Sequence, residues 1–223
     1  MVKTRLEGKC VLCGEVYTKR GMTRHLKACI ERTVGEKGSG GDKENEKSLI
    51  VTAEGRYNPQ YWLTLELALD ANFTDLDSFL RRIWLECCGH MSAFKIRGTY
   101  YSIEPDYMNG YKEMDVSLLK VLSMGERFFH KYDFGTTTVL ALRAVGIATR
   151  VIPDKGVSVL ARNIAPQYRC SYCSEIAVKI CQECVSAGKG WLCEECAQKH
   201  PCGEEMLLPV VNSPRTGVCA YTG

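Results

Sequence analysis

Residues 61–69 read YWLTLELAL, and this stretch decides the fold that the sequence predicts. Apolar side chains recur at every second position, namely Tyr61, Leu63, Leu65, Leu67 and Leu69. The polar residues Thr64 and Glu66 lie between them. A period of two is the pattern of a β-strand with one buried face. The sequence therefore predicts a half-buried strand at this point of a sheet-forming domain.

The residues after this strand predict a helix. Apolar side chains recur at intervals of three and one, at Leu76, Phe79, Leu80, Ile83, Trp84 and Cys87. Such spacing places them on one face of an amphipathic helix. Thr74, followed by Asp77, is a suitable start, and Gly89 is a suitable end.

Further elements follow in the same domain, and together they predict the fold class. We expect a hairpin over 91–103 that turns near Gly98, a short helix over 115–123, and two strands joined around Gly135. The order β-α-β-β-α-β-β predicts an α+β fold. We expect a small mixed sheet with two helices, with a β-grasp as one related architecture, flanked by two small zinc-stabilised modules.

The composition excludes several classes of protein. The chain has 223 residues, of which 45% are hydrophobic and 25% charged. These values exclude collagen-like, coiled-coil and wholly disordered chains. No apolar run reaches the ~18–20 residues that a membrane span requires, and the charged N-terminus is unlike a signal peptide. We therefore expect a soluble, cytoplasmic protein of prokaryotic type with no membrane partner.

Changes in composition divide the chain into four parts. Residues 34–48 are rich in Gly, Lys and Glu and nearly free of apolar side chains, which predicts a flexible linker. We expect a C2HC zinc finger over 1–33 and the α+β domain over 49–165. Residues 166–223 hold eight of the thirteen cysteines, which predicts a two-zinc ribbon with an extended tail.

The first cysteine motif lies near the N-terminus. Cys10 and Cys13 form a C-x-x-C pair, and His25 and Cys29 follow at positions i and i+4 of a predicted helix. Four such side chains can close a tetrahedron around zinc. The segment resembles a ββα finger of the C2H2 type, with Cys29 in place of the last histidine. That resemblance places the base-reading positions on Thr18, Gly21 and Arg24.

The charge of the chain is concentrated in the same segment. Residues 1–33 hold eight Lys or Arg against three Asp or Glu, whereas the formal charge of the whole chain is only +3. Gly21 has no side chain with which to read a base. The basic side chains that suit phosphate contacts are Lys19, Arg20, Arg24 and Lys27. The alternatives are a solvated basic helix and a protein-docking finger.

The second group of cysteines predicts two interleaved zinc sites. One site would use Cys170, Cys173, Cys193 and Cys196, and the other would use Cys181, Cys184, His200 and Cys202. His200 and Cys202 are close in sequence, so Cys219 could replace either. The pattern looks like the B-box and MYND cross-brace modules, whose usual role is protein–protein interaction. We therefore expect about three zinc ions, each held by four protein ligands in a structural role.

The central domain carries a family resemblance. The segments WLECCGHMSAFKIRG and LLKVLSMGERFFHKYDFG resemble the plasmid pRiA4b ORF-3-like family over roughly residues 58–145. The most specific part is Tyr132-Asp133-Phe134-Gly135, supported by His90, Phe94 and Gly125. The resemblance implies an α+β fold and, weakly, an association with DNA. Three threonines follow Gly135 here, where the family often has an aspartate with a Trp and a His.

Simpler roles compete with catalysis for the polar residues of this domain. We expect Asp133 to cap a tight turn, His90 to be structural, and His130 to be exposed or half-buried. We expect Cys87 and Cys88 to be buried thiols. A nucleophile formed by these cysteines and His90 is the catalytic alternative, although no third orienting group is evident.

Three functional hypotheses follow from these observations. The first is a zinc-binding, non-enzymatic protein that contacts nucleic acid through its basic finger. The second is a protein-interaction adaptor that acts through the ribbon and the central domain. The third is a thiol-dependent or hydrolytic enzyme of the central domain.

Overall fold

The computed structural model describes residues 6–36, 46–150 and 156–223, and a ten-stranded sheet forms its centre. The strands are β1 (Glu7–Cys10), β2 (Val16–Thr18), β3 (Glu46–Gly55), β4 (Trp62–Ala68), β5 (Ser92–Ile96), β6 (Thr99–Ser102), β7 (Tyr111–Glu113), β8 (Arg127–Tyr132), β9 (Thr138–Arg150) and β10 (Val157–Asn163). Their order is β2-β1-β10-β4-β3-β9-β8-β5-β6-β7. All neighbours are antiparallel except β6 and β7.

Four helices and a second sheet complete the described fold. The helices are α1 (Lys19–Glu36), α2 (Phe73–Leu80), α3 (Leu118–Val121) and α4 (Glu194–Gln198). The second sheet contains β11 (Lys179–Cys181), β12 (Trp191–Leu192) and β13 (Leu207–Pro209), with β11 in the middle. The predicted α+β class is confirmed. The central sheet is much larger than predicted, and its relation to a β-grasp stays a prediction.

The central sheet is covered by helices on one face and partly covered on the other. One face carries the main core, in which α2 and α3 pack against apolar side chains of β3, β4, β5, β8 and β9. The opposite face carries a second core, in which Met22, Leu26 and Ile30 of α1 pack near Trp62 and Leu160. Burial of apolar side chains on both faces stabilises the sheet by about 25 cal/mol for each Å² of apolar surface removed from water.

The strand that decided the prediction, β4, is buried on both faces. Thr64 and Glu66 were expected to face solvent, but they are only 5% and 1% exposed. The prediction of a half-buried strand was wrong in this respect, because α1 covers the polar face. A buried carboxylate needs a hydrogen-bond partner. Ser48 of β3 donates to Glu66 through a contact of 2.8 Å from Oγ to Oε1.

The N-terminal finger is continuous with the central sheet. Strand β1 pairs with β10, so that Gly8 lies opposite Asn163 and Cys10 lies opposite Ala161. The segment 34–48, predicted as a linker, overlaps regular structure at both ends. Residues 34–36 form the last turn of α1 and 46–48 begin β3, whereas 37–45 lie outside the described residues.

The helix predicted to begin at Thr74 and end at Gly89 has a different start and a different end. Its cap lies earlier, because Asn72 accepts a hydrogen bond from the backbone of Asp75 and Asp75 accepts one from Asn72. The α-helix ends at Leu80 and continues as a π-helical turn, Arg81–Leu85. Residues 86–90 therefore form a loop after the helix.

The remaining predicted elements are present with altered bounds. The hairpin of β5 and β6 turns at Arg97 and Gly98, which both have positive φ values, of 48° and 87°. The helix predicted over 115–123 is reduced to α3, a single turn. No helix in the described residues combines the length and the apolar character needed to cross a membrane.

The C-terminal residues connect the ribbon to the central sheet. Tyr168 stacks on Trp191 of the ribbon with ring centroids 3.8 Å apart, and its hydroxyl lies 2.9 Å from that of Tyr61. Beyond β13 the chain crosses to the central domain. There Ser213 donates to the carbonyl of Trp84, with 2.6 Å between the oxygens. The C-terminal tail therefore packs on the ribbon and on the central domain.

Candidate metal centres

All thirteen cysteines are free thiols, and they lie in four clusters with three of the four histidines. We name these the finger cluster (Cys10, Cys13, His25, Cys29), the outer ribbon cluster (Cys170, Cys173, Cys193, Cys196), the inner ribbon cluster (Cys181, Cys184, His200, Cys202) and the tail cluster (Cys87, Cys88, His90, Cys219). In each cluster the four ligand atoms lie within 4.8 Å of one another. Zinc bonds of about 2.3 Å give a tetrahedron with edges of about 3.8 Å, so each cluster can hold a metal ion.

The finger cluster is assembled by a ββα unit, as its sequence predicts. Cys10 ends β1, Cys13 lies in the turn before β2, and His25 and Cys29 lie one turn apart on α1. The Sγ atoms of Cys10 and Cys29 are 4.0 Å apart, and Cys13 Sγ lies 3.3 Å from Nε2 of His25. Tyr17 stacks on the His25 ring at 4.2 Å between centroids, which fixes the orientation of the imidazole.

The two ribbon clusters are interleaved along the chain. In the outer cluster Cys173 lies 3.6 Å from Cys193 and 4.0 Å from Cys196 between sulfur atoms. In the inner cluster the sulfur atoms of Cys184 and Cys202 are 3.6 Å apart. The structure thus groups His200 with Cys202 and places Cys219 elsewhere. The ribbon has a very small apolar core, so bound metal would replace a core as the source of its stability.

The thiol pKa values show how a cation would suit the outer ribbon cluster. Burial raises the pKa of Cys170, but hydrogen bonds from the backbone N–H groups of neighbouring residues outweigh burial and lower it to about 6. Contact with the thiol of Cys193, and with the other thiols of the cluster, raises the pKa of Cys196 to about 12. One thiolate in the cluster therefore opposes ionisation of the next. A divalent cation removes this conflict, because it binds several thiolates at once.

The tail cluster was not predicted from the sequence. Cys87, Cys88 and His90 follow the π-helical turn, and Cys219 joins them from the C-terminal tail. The Cys219 sulfur lies 3.9 Å from that of Cys88 and 3.4 Å from Nε2 of His90. Cys88 is exposed rather than buried, because the helix ends before it. One sequence signal was available, since assigning ten cysteines to three sites leaves three unassigned, of which Cys87 and Cys88 lie beside His90.

The four basic residues of α1 that the sequence singles out fall into two groups. Arg20, Arg24 and Lys27 are exposed, and they lie on one side of the helix at positions i, i+4 and i+7. Lys19 instead faces the body of the protein. Its ammonium forms an ion pair with Glu54 of β3 and lies 3.4 Å from the carbonyl oxygen of Pro59.

Two polar residues of the central domain have structural roles. Asp133 caps a tight turn, as expected: its Oδ1 accepts hydrogen bonds from the backbone N–H groups of Gly135 and Thr136, at 2.9 Å and 3.1 Å. His130 is fully buried, and the expectation of an exposed or half-buried ring was wrong. Its Nε2 lies 2.6 Å from Oδ1 of Asp77, because α2 packs directly over β8.

The comparisons with known proteins indicate no function for this chain. No protein-family model matches the chain, and no curated protein matches it. A solved structure that matches is described as a protein of unknown function, MM3350, from Methanosarcina mazei Go1. It is 17% identical with a TM-score of 0.46, and the match covers 56% of this chain and 72% of that chain.

Proposed function

We propose that the protein is a zinc-binding, non-enzymatic protein that associates with nucleic acid through the exposed basic side of α1. The observation that carries this proposal is the row formed by Arg20, Arg24 and Lys27 beside a cysteine–histidine cluster. A cytoplasmic location and a relation of the central domain to the plasmid pRiA4b ORF-3-like family belong to the same proposal.

The cluster chemistry supports zinc in a structural role. Each cluster offers three or four thiols, with imidazole as the other ligand type, and zinc prefers this donor set. Every cluster also supplies four protein ligands. Catalytic zinc usually has three and keeps a position for water, so hydrolysis at these sites is disfavoured.

The surface of α1 supports contact with phosphate. Among the residues that the structure describes, no carboxylate forms an ion pair with Arg20, Arg24 or Lys27. Within that part of the chain no carboxylate offsets their charges. Glu31 lies one turn beyond Lys27, so the row is basic at its N-terminal end and mixed further along. We leave Lys19 out of this surface, because Glu54 already pairs with its charge.

A cleft beside the same helix extends the basic surface. It has a volume of about 360 Å³ and lies between α1 and the exposed side of β8 and β9. Arg143 lines it and is exposed, whereas Arg127, which also lines it, lies 3.9 Å from a carboxylate oxygen of Glu54. A nucleic-acid backbone lying along α1 would meet the guanidinium group of Arg143 as well. Interactions of this kind carry affinity without sequence preference.

The test is a binding titration of zinc-loaded full-length protein with labelled single- and double-stranded DNA and RNA at several salt concentrations. We expect the affinity to fall with salt, because each phosphate that the protein neutralises releases a counterion. The triple variant R20A/R24A/K27A should bind more weakly. On duplex DNA the slope of log K against log salt is negative, and in the variant it should become less steep. The expected change is about 0.9 for each phosphate that the variant no longer neutralises.

A matched variant controls for the removal of charge alone. Lys112, Lys120 and Lys189 are exposed basic residues away from α1. The variant K112A/K120A/K189A removes the same charge and should bind like the wild type. Equally weakened binding in the two triple variants, or no binding by the wild type, would contradict the proposal. Alanine preserves α1, because it has the highest helix propensity.

A second candidate function is protein interaction through the ribbon. Three apolar side chains of the ribbon, those of Tyr172, Ile176 and Val178, are exposed by 56%, 37% and 44%. Exposed apolar groups close together can mark a protein-binding surface. A wild-type protein that binds no nucleic acid at low salt would favour this candidate over the first.

A further inference from the structure

We propose that the tail cluster binds a fourth zinc ion, which fastens the C-terminal tail to the central domain. The ligands would be the thiolates of Cys87, Cys88 and Cys219 and Nε2 of His90. Such an ion does not depend on nucleic-acid binding. It differs from the three zinc sites that the sequence predicts, because it joins parts of the chain that are about 130 residues apart.

The spacing of the ligand atoms fits a tetrahedral ion. The measured edges are 3.9 Å between the sulfurs of Cys88 and Cys219 and 3.4 Å between Cys219 Sγ and His90 Nε2. All four ligand atoms lie within 4.8 Å of one another. A disulfide would require about 2.05 Å between sulfurs, so the thiols are spaced for a shared ion instead. On binding, each thiol would release its proton to solvent.

One buried cation lies beside the cluster. Zinc with three thiolates carries a net charge of −1. The fully buried guanidinium of Arg215 lies 3.4 Å from the sulfur of Cys87, through its Nη2. The same nitrogen donates to Oδ2 of Asp133 at 2.7 Å, so the arginine bridges the cluster and the turn that Asp133 caps. A buried cation next to thiolates favours their charged form.

Hydrogen bonds along the tail hold Cys219 close to the other three ligands. Asn212, Ser213 and Arg215 are all held by hydrogen bonds to the central domain, which delivers Cys219 to the other three ligands. Cys219 has a φ of 45°, which non-glycine residues rarely adopt. Such a conformation is unfavourable and persists where other interactions enforce it. A metal bond at its side chain would supply such an interaction.

The experiment counts zinc in the purified full-length protein and follows hydrogen exchange of the tail. We expect four zinc ions per chain in the wild type and three in the C88S/C219S double variant. Cys88 is exposed and Cys219 is partly exposed, so these substitutions do not disturb a core. Residues 212–221 should exchange at least tenfold faster in the variant. Cys173→Ser, in the outer ribbon cluster, also removes one ion, but the faster exchange that it causes should centre on the ribbon strands β11, β12 and β13 rather than on residues 212–221.

A single-site variant keeps the test decisive if the double variant fails to fold. His90→Ala removes one partly exposed ligand and should also give three ions and a faster-exchanging tail. Three ions in the wild type, or four in both the wild type and the variants, would overturn the proposal. A disulfide between Cys219 and Cys87 or Cys88 in the native protein would overturn it as well. None of these results depends on whether nucleic acid binds.

Discussion

At the scale of single residues, the buried pair of Asp77 and His130 links α2 to β8. Both side chains are fully buried, with 2.6 Å between Oδ1 and Nε2. Burial raises the pKa of Asp77, but the hydrogen bond from His130 and the charges nearby outweigh burial and lower it below its ordinary value. An Arg81 guanidinium nitrogen lies 3.9 Å from the other carboxylate oxygen. The pair thus holds a charge inside the domain.

We predict that Asp77→Asn destabilises the protein by about 3 kcal/mol at pH 7, because it leaves a buried histidine without its charged partner. A carboxyl group with a lowered folded pKa stabilises the protein above its unfolded pKa of about 3.9. That contribution is lost as the pH falls through the folded pKa. Urea unfolding should therefore show a difference that is full at pH 7 and shrinks below about pH 4.

The exposed residue Asp70 provides the control for this prediction. Asp70→Asn makes the same chemical change without removing a buried partner, and we expect a change within about 0.5 kcal/mol. Equal effects of the two substitutions, or a difference that does not change with pH, would contradict the role given to Asp77.

At the scale of elements, the crossing of β1 over Trp62 fixes how the finger joins the sheet. Gly8 lies in β1, and a Cβ atom there would lie 2.4 Å from the Trp62 ring and 2.6 Å from the carbonyl oxygen of Arg162. Those distances are too short for any side chain. The backbone of β1 can approach the ring only because this position is glycine.

We predict that Gly8→Ala destabilises the protein by about 1–3 kcal/mol, because neither the ring nor the β10 backbone can move away cheaply. Gly146→Ala is the matched control, since a Cβ there meets nothing within 4 Å. Thermal unfolding of the two variants is the measurement. A Gly8 variant as stable as the Gly146 variant would show that β1 is not held against Trp62.

The elements also show what a sequence pattern can predict. The alternation in β4 predicts a strand and its core face, because the period of two is a local property. It does not predict the second buried face, which depends on α1 packing from a segment more than 25 residues earlier. The pairing of β1 with β10 is non-local for the same reason. The local spacing of cysteines and histidines predicted three clusters. The tail cluster could not be predicted in this way, because it depends on the folded chain bringing Cys219 back to the central domain.

At the scale of the whole molecule, the finger and the central sheet share one core. Met22 and Leu26 of α1 pack with Trp62 of β4 and Leu160 of β10. A finger tethered by a flexible linker would unfold without affecting the sheet. A finger that shares strands and apolar side chains with the sheet should unfold together with it. The finger metal would then stabilise the central domain too, because binding energy at such sites is folding energy.

We predict that Cys13→Ser, which removes one finger ligand, speeds hydrogen exchange in β10 and β4 as well as in α1. Cys13 is exposed, so the substitution acts through the metal rather than through packing. Cys173→Ser removes an exposed ligand of the outer ribbon cluster and should leave α1, β4 and β10 unchanged. Faster exchange confined to residues 7–36 would mean that the finger is energetically separate. Faster exchange across the shared core would mean that zinc bound by the finger stabilises the sheet on which it packs.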